Sequence, residues 1–121
     1  MRFSSAKRFA MLAVAVVPLT LIPSVSHGET SRVKATASRT WSPDYRHVLP
    51  GSKIVWRNPT STTHTLTSYG AGWDKDVRLT PDTRTSKTFR KGTYKYRCKI
   101  HSTLSNGDCN GMCGVIHVAN Y

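Results

Sequence analysis

The sequence predicts an all-β domain built as a sandwich of two sheets, and three observations support that prediction. After residue 28, no window shows a helical period long enough to indicate an α-helix. Short runs rich in Thr, Val, Ile and aromatic residues alternate with turns marked by Gly, Pro and Asn. The clearest alternation sets Tyr94, Tyr96 and Cys98 on one face of a strand, with basic residues between them. Cys98 is therefore expected to face the interior.

The same reasoning assigns the other strands in order. The predicted strands cover residues 32–39, 53–58, 65–68, 84–89, 94–98 and 114–118. The segment 41–48 is irregular and receives no assignment. Residues 69–76, which contain two glycines, are predicted to form a long loop. Residues 100–111 are rich in Ser, Asn, Gly and Asp, a composition typical of a loop between two strands.

The first 28 residues are predicted to be an export signal. A basic head, Arg2 to Arg8, precedes the uncharged apolar run 9–22, which is too short to span a bilayer comfortably. Cleavage is expected after Ser26 or Gly28, which leaves residues 29–121 as a single domain. An uncleaved membrane anchor is the alternative. We therefore expect a periplasmic or extracellular protein with no stable membrane insertion after cleavage.

The chain is strongly basic, with 18 Lys and Arg against 6 Asp and Glu and a formal charge of +12. The predicted leader removes three basic residues and no acid, so residues 29–121 keep a charge of +9. An anionic partner and a merely solvated basic surface both explain this excess. The basic residues are dispersed along the chain, which slightly favours the solvated surface. No nucleic-acid-binding module is recognisable, so nucleic acid is not an expected ligand.

Three cysteines, Cys98, Cys109 and Cys113, lie in one C-terminal stretch. An odd number in an oxidising compartment leaves one thiol to explain. If Cys98 binds a metal, Cys109 and Cys113 remain as a pair that can form a disulfide. The alternative pairs Cys98 with one of them and leaves a stray thiol.

Other side chains that can bind a metal lie within this stretch or upstream of it. Cys98 and His101 are separated by two residues, and Met112 comes directly before the last predicted strand. His64, where an Asn-Pro-Thr loop meets a strand, is the best candidate for a second imidazole. Two imidazoles, one thiolate and a weak axial thioether are the ligands of a type 1 copper site for electron transfer. The sequence therefore predicts one copper ion bound by these four residues.

Competing ligand sets are also present. His47 and His117 are the other histidines of the domain, and neither is expected to touch the copper. A structural zinc module is the alternative metal site, with four ligands at plausible spacing: Cys98, His101, Cys109 and Cys113. Such zinc sites are commonest in reducing compartments, which argues against this set in an exported chain.

Several motifs together resemble one family. The segments 56–58 (Trp-Arg-Asn), 64–65 (His-Thr), 92–101 (Gly-Thr-Tyr-Lys-Tyr-Arg-Cys-Lys-Ile-His) and 111–116 (Gly-Met-Cys-Gly-Val-Ile) resemble the plastocyanin, azurin and auracyanin group of cupredoxins. The resemblance covers the chain from about residue 50 onward. It implies a Greek-key β-sandwich with a type 1 copper site at one end, and it gives His64, Cys98, His101 and Met112 their places as ligands.

The family resemblance implies an exported one-electron carrier. No enzyme activity is expected, because a mononuclear site with four protein ligands leaves no open position for a substrate. A copper carrier or buffer without a redox role is the alternative function. The expected partners are redox proteins, with acidic ones favoured by the basic charge, and a monomer is expected. One departure is the longer stretch between His101 and Met112, with Cys109 and Cys113 on either side of the methionine. We interpret that pair as a loop-closing disulfide that stiffens the segment carrying Met112.

Overall fold

The computed structural model describes residues 28–121 and the isolated residue 15, so almost all of the predicted leader lies outside the described residues. Within the described part the chain forms strands and no helix, and hence no helix there could cross a membrane. The strands are β1 (Thr30–Ala35), β2 (Trp41–Ser42), β3 (Tyr45–Val48), β4 (Lys53–Arg57), β5 (His64–Tyr69), β6 (Asp76–Leu79), β7 (Arg84–Thr88), β8 (Gly92–Ser105) and β9 (Asp108–Val118).

The strands form two sheets, which confirms the predicted β-sandwich. The four-stranded sheet has the order β2-β1-β4-β7, and the five-stranded sheet has the order β3-β9-β8-β5-β6. The pairs β1–β4 and β3–β9 are parallel, and the other pairs are antiparallel. Strands that are not consecutive in sequence therefore lie side by side. Strand β8 lies between β5 and β9, so it brings segments that are distant in sequence close together.

An aromatic cluster fills the space between the sheets. Ile54 and Trp56 share the inward face of β4, and both are fully buried. The ring of Trp56 meets Tyr96 edge-on at 5.4 Å between centroids and Phe89 at 6.0 Å. Full burial of a side chain such as Phe89 contributes about 1.5–3 kcal/mol. This cluster fixes β4, which leads into the loop before His64, against β8, which carries Cys98.

The prediction of a loop over residues 100–111 is wrong. Here β8 continues to Ser105 and pairs with β9 from Asp108 onward, which forms a two-stranded ribbon. Asn106 and Gly107 at its tip have φ angles of 50° and 80°. Asn-Gly favours the tight hairpin turn with two positive φ angles. The polar composition does not prevent pairing in this ribbon, because most of its side chains are exposed.

Two further segments differ from the sequence prediction. The unassigned stretch 41–48 contains β2, which belongs to the four-stranded sheet, and β3, which belongs to the five-stranded sheet. Trp41 of β2 is buried in the core between the two sheets. The predicted loop 69–76 overlaps the short edge strand β6, which begins at Asp76 and in which Asp76 and Arg78 are exposed. Charged residues on a short edge strand weaken the strand signal, and they also protect the edge against pairing with another chain.

The outer face of the four-stranded sheet is basic. Lys34 is in register with Arg57, and Arg57 is in register with Arg84, so three cations lie side by side across three strands. Arg32 and Lys53 are exposed on the same face. Like charges directly opposite one another on a sheet are destabilising. Five basic residues that are far apart in the sequence therefore lie on one surface.

Candidate metal centre

Three side chains with metal-binding atoms meet where β5 begins. His64 is the first residue of β5, and Cys98 and His101 belong to the neighbouring strand β8. The inward face of β8 buries Cys98 completely, as the alternation of Tyr94, Tyr96 and Cys98 predicts. His64 is also buried, whereas His101 is half-buried.

The donor atoms form a compact triangle. Nδ1 of His64 lies 3.1 Å from Nδ1 of His101, and Sγ of Cys98 lies 3.5 Å from Nδ1 of His101 and 3.8 Å from Nδ1 of His64. A point equidistant from these three atoms is about 2.0 Å from each, close to the roughly 2.0–2.3 Å of metal–nitrogen and metal–sulfur bonds in proteins. The triangle therefore fits one metal ion without a large rearrangement.

Met112 lies opposite the segment that carries two of these donors. In the β8–β9 ladder Arg97 pairs with Cys113 and Ser102 pairs with Gly111, with a register shift between them. The four residues 98–101 of β8 therefore lie opposite a single residue of β9, Met112, and form a bulge. Met112 is fully buried and belongs to the same core cluster as Cys98. The structure thus brings His64, Cys98 and His101 together and sets the predicted axial residue across from their segment.

Gly111 permits the close approach of the two strands at this bulge. Its φ is 110°, in the range that favours glycine, and a Cβ atom built there would overlap the carbonyl oxygen of His101. Any other residue at this position would therefore push the backbone of His101 away from β9.

A hydrogen-bond network orients the ring of His64. Nε2 of His64 lies 3.1 Å from Oγ1 of Thr60, which in turn donates to Oδ1 of Asn58 at 2.6 Å. The side-chain amide of Asn58 donates to the carbonyl oxygens of Thr62 and Leu79 at 2.8 and 2.9 Å. Because Nε2 is engaged with Thr60, Nδ1 is the nitrogen that faces the other donors.

Thr65 supports the thiol of Cys98. The backbone N–H of Thr65 donates to Sγ of Cys98 at 3.3 Å, and Oγ1 of Thr65 accepts a hydrogen bond from the backbone N–H of Lys99 at 2.8 Å. A donor aimed at sulfur stabilises the negative charge of a thiolate. These two bonds also fasten β5 to the start of the bulge.

The electrostatic environment favours a neutral His64. Burial lowers the pKa of His64 below its usual value, and the nearby charges of His101 and Arg39 lower it further. A neutral imidazole keeps a free lone pair, which metal binding requires.

The other two cysteines form a disulfide. Cys109 and Cys113 are bonded, with their Cα atoms 6.2 Å apart, and Cys98 is the free thiol of the described residues. The disulfide removes two sulfur atoms from the alternative zinc set, which is therefore not assembled. His47 and His117 lie next to each other, and neither belongs to the His64–Cys98–His101 cluster.

The residues that support the donors are not evident from the sequence alone. Asn58 appeared in a family motif without a role, and Thr60 was only part of a polar loop. Asn58 is fully buried, and burial of an amide requires hydrogen-bond partners. A polar residue directly after the buried strand β4 was the signal that could have identified it.

Comparisons with known proteins identify the fold. No protein-family model matches the sequence, and no curated protein is similar to it. Among solved structures, a purple cupredoxin from Nitrosopumilus maritimus superimposes with a TM-score of 0.57 at 18% identity, over 74% of this chain and 99% of that one. An amicyanin variant in its reduced state matches with a TM-score of 0.57 at 21% identity, over 74% and 82% of the two chains.

An enzyme is also among the structural neighbours. A copper-containing nitrite reductase from Thermus scotoductus matches with a TM-score of 0.60 at 19% identity, over 76% of this chain but only 23% of that one. At these identities the similarity establishes architecture and not activity. The two-sheet topology and these superpositions together show that the chain has the cupredoxin fold.

Proposed function

We propose that this protein is an exported one-electron carrier that binds one type 1 copper ion through His64, Cys98, His101 and Met112. The observation that carries the proposal is the convergence of two imidazole nitrogens and one thiol sulfur, with Met112 opposite them. This combination of donors is typical of electron-transfer copper sites. Bound copper would supply the Cu(II)/Cu(I) couple for the transfer of one electron.

The protein's own task is to hold these donors still. Cys98 and His64 are buried in a sandwich whose core aromatic residues pack edge-on, and the Thr60–Asn58 network restrains the ring of His64. Donors that stay in place in both oxidation states keep rearrangement small. The N–H of Thr65 contributes by stabilising the Cys98 thiolate.

His101 is the proposed electron port. It is the half-buried member of the donor set, so its ring reaches towards the surface. Ile100, next to it in sequence, is 55% exposed, and Leu104 on the adjoining ribbon is 43% exposed. Exposed apolar side chains beside a site favour contact with a partner protein. A redox partner that covers this end would come close to His101.

The arrangement supports a carrier more than an enzyme. Four protein donors leave no open position for a substrate. The match to the nitrite reductase covers less than a quarter of that protein, so its enzymatic activity is not proposed for this chain. The basic sheet face favours an acidic redox partner. The proposal also includes export to the periplasm or beyond, after removal of residues 1–28, and a monomeric state.

Optical spectroscopy of the copper-loaded protein tests this function. We expect intense visible absorption that Cys98→Ala abolishes, because the thiolate–copper bond produces the colour. The matched control replaces the two disulfide cysteines by alanine, which leaves the donors in place and should retain the colour. A colourless wild type with one copper bound would refute the proposal, as would intense colour in Cys98→Ala.

The role of Met112 has its own test. Met112→Leu should retain the colour and raise the reduction potential, because loss of a weak axial donor disfavours Cu(II) relative to Cu(I). Reversible one-electron voltammetry with slow copper exchange would support a carrier of electrons. Rapid release of copper to a chelator would instead favour the copper-buffer alternative.

A further inference from the structure

A second pair of histidines lies outside the copper-binding cluster. His47 on β3 and His117 on β9 are directly opposite each other in the parallel β3–β9 ladder. Adjacent strands are separated by about 4.7–4.9 Å, so two side chains on the same face at opposed positions are immediate neighbours. Their ring centroids are 5.5 Å apart. Both side chains are partly exposed, so ions in solution can reach them.

The candidate copper site provides a comparison within the same molecule. The rings of His64 and His101, whose Nδ1 atoms are 3.1 Å apart, have centroids separated by 4.9 Å. The His47–His117 pair is thus only 0.6 Å wider. Rotation of half-exposed rings about their side-chain bonds readily covers such a difference.

One of the rings is already oriented. Oγ1 of Thr93, in register with His117 on the neighbouring strand β8, lies 3.0 Å from Nδ1 of His117. An imidazole whose Nδ1 is engaged in this way presents Nε2 as its free nitrogen. Metal-binding histidines commonly use their second nitrogen for such an orienting hydrogen bond.

There is also space beside His47, one of the two rings. His47, but not His117, lines a surface cavity of about 230 Å³ together with Glu29, Arg46 and Tyr121. The ring of Tyr121 packs edge-on against His47 at 4.7 Å. A water molecule occupies about 30 Å³ of liquid, so the cavity has room for water ligands of an ion bound on the His47 side of the pair.

We propose that His47 and His117 form a second metal site, for a divalent transition ion such as Zn²⁺, Ni²⁺ or Cu²⁺. Neutral imidazoles suit these ions, and water would complete the coordination. Thr93 is the positioning residue of this site. Thr93 is five residues before Cys98 on β8, or about 16 Å along a strand. The site uses none of the donors of the copper centre and does not depend on the proposed function.

Calorimetric titration of Zn²⁺ into protein already saturated with one equivalent of copper tests the site. One further equivalent of Zn²⁺ should bind, while the visible spectrum stays unchanged. His47→Gln and His117→Gln should each weaken this binding at least about tenfold. Tyr45→Gln, an exposed change two residues before His47 on the same strand, is the matched control and should bind like the wild type.

The outcomes separate the proposal from adventitious binding. Absence of the further equivalent, or its full retention in both histidine variants, would overturn the second site. Thr93→Val should weaken Zn²⁺ binding about tenfold without abolishing it, because it removes the orienting bond and leaves both donors. Unchanged affinity in Thr93→Val would refute the role given to its hydroxyl. An unchanged far-ultraviolet circular dichroism spectrum in every variant shows that the fold is intact.

Discussion

Thr60 holds the far side of the His64 ring. Its hydroxyl oxygen lies 3.1 Å from Nε2, while Nδ1 on the opposite edge of the ring faces Cys98 and His101. The hydroxyl of Thr60 donates to Asn58, so in the metal-bound form it can accept the proton of Nε2. The Thr60–Asn58 pair, which lies outside the proposed donor set, therefore favours the tautomer of His64 with its proton on Nε2.

We predict that Thr60→Val lowers copper affinity by about 10–100-fold, the usual effect of losing a residue that orients a metal ligand. The donors remain, so the visible colour should persist at saturating copper. Competition with a chelator of known affinity measures the change. Thr62→Val is the matched control, because the main chain of Thr62, and not its side chain, takes part in the network. Equal affinities in Thr60→Val and the wild type would remove this role.

Local patterns predicted most of the framework and indicated the proposed donor set. Alternation alone indicated that Cys98 faces inward, because one face of β8 must contribute to the core. The four proposed ligands stood out because their side chains have few other reasons to occur together. Only the fold, however, shows that His64 and His101 approach within hydrogen-bond distance, since that depends on the pairing of β5 with β8.

Features that depend on pairing between distant strands are not visible in the sequence alone. The row of Lys34, Arg57 and Arg84 exists only because β1, β4 and β7 are neighbours in register. The β8–β9 ribbon was missed because its composition is polar, although Asn106-Gly107 is a strong hairpin signal. The supporting role of Asn58 was missed because its partners are contributed by Thr62 and by Leu79, 21 residues away.

Gly111 is predicted to be essential to the geometry of His101. Gly111→Ala should lower the free energy of unfolding by about 2–4 kcal/mol, because a positive φ is unfavourable for alanine and the added Cβ overlaps the His101 carbonyl. Gly107→Ala is the control, since its φ is also positive, 80°, but a Cβ there meets nothing within 4 Å. Gly107→Ala should cost only about 1–2 kcal/mol.

Chemical denaturation of both variants separates the two effects. Gly111→Ala should also change the visible spectrum of the copper form, because the displaced backbone carries a donor, whereas Gly107→Ala should leave it unchanged. Equal stability losses in the two variants would show that the contact with His101 is unimportant.

The disulfide predicts a specific thiol count. Denatured, metal-free protein that has not been reduced should contain one reactive thiol, that of Cys98, because Cys109 and Cys113 are bonded. Three reactive thiols would contradict the disulfide. Replacing both Cys109 and Cys113 by serine should lower the free energy of unfolding by about 2 kcal/mol, the entropy expected for so short a loop. The colour should persist, since neither residue is a proposed copper ligand.

Electron exchange with an anionic reagent tests the basic surface. We predict that oxidation of the Cu(I) protein by hexacyanoferrate slows as salt concentration rises, because screening weakens attraction over about 10 Å at 0.1 M ionic strength. Replacing Lys34, Arg57 and Arg84 with glutamine should slow the reaction further at low salt. Arg57 directly precedes the loop that begins at Asn58 and leads to the proposed ligand His64, so the row of cations ends near the proposed copper site. The control neutralises three exposed cations near the opposite end of the sandwich: Lys53, Arg90 and Lys91. Both triple variants lose the same net charge, so equal rates in the two would show that total charge, and not the row on the sheet, governs the encounter.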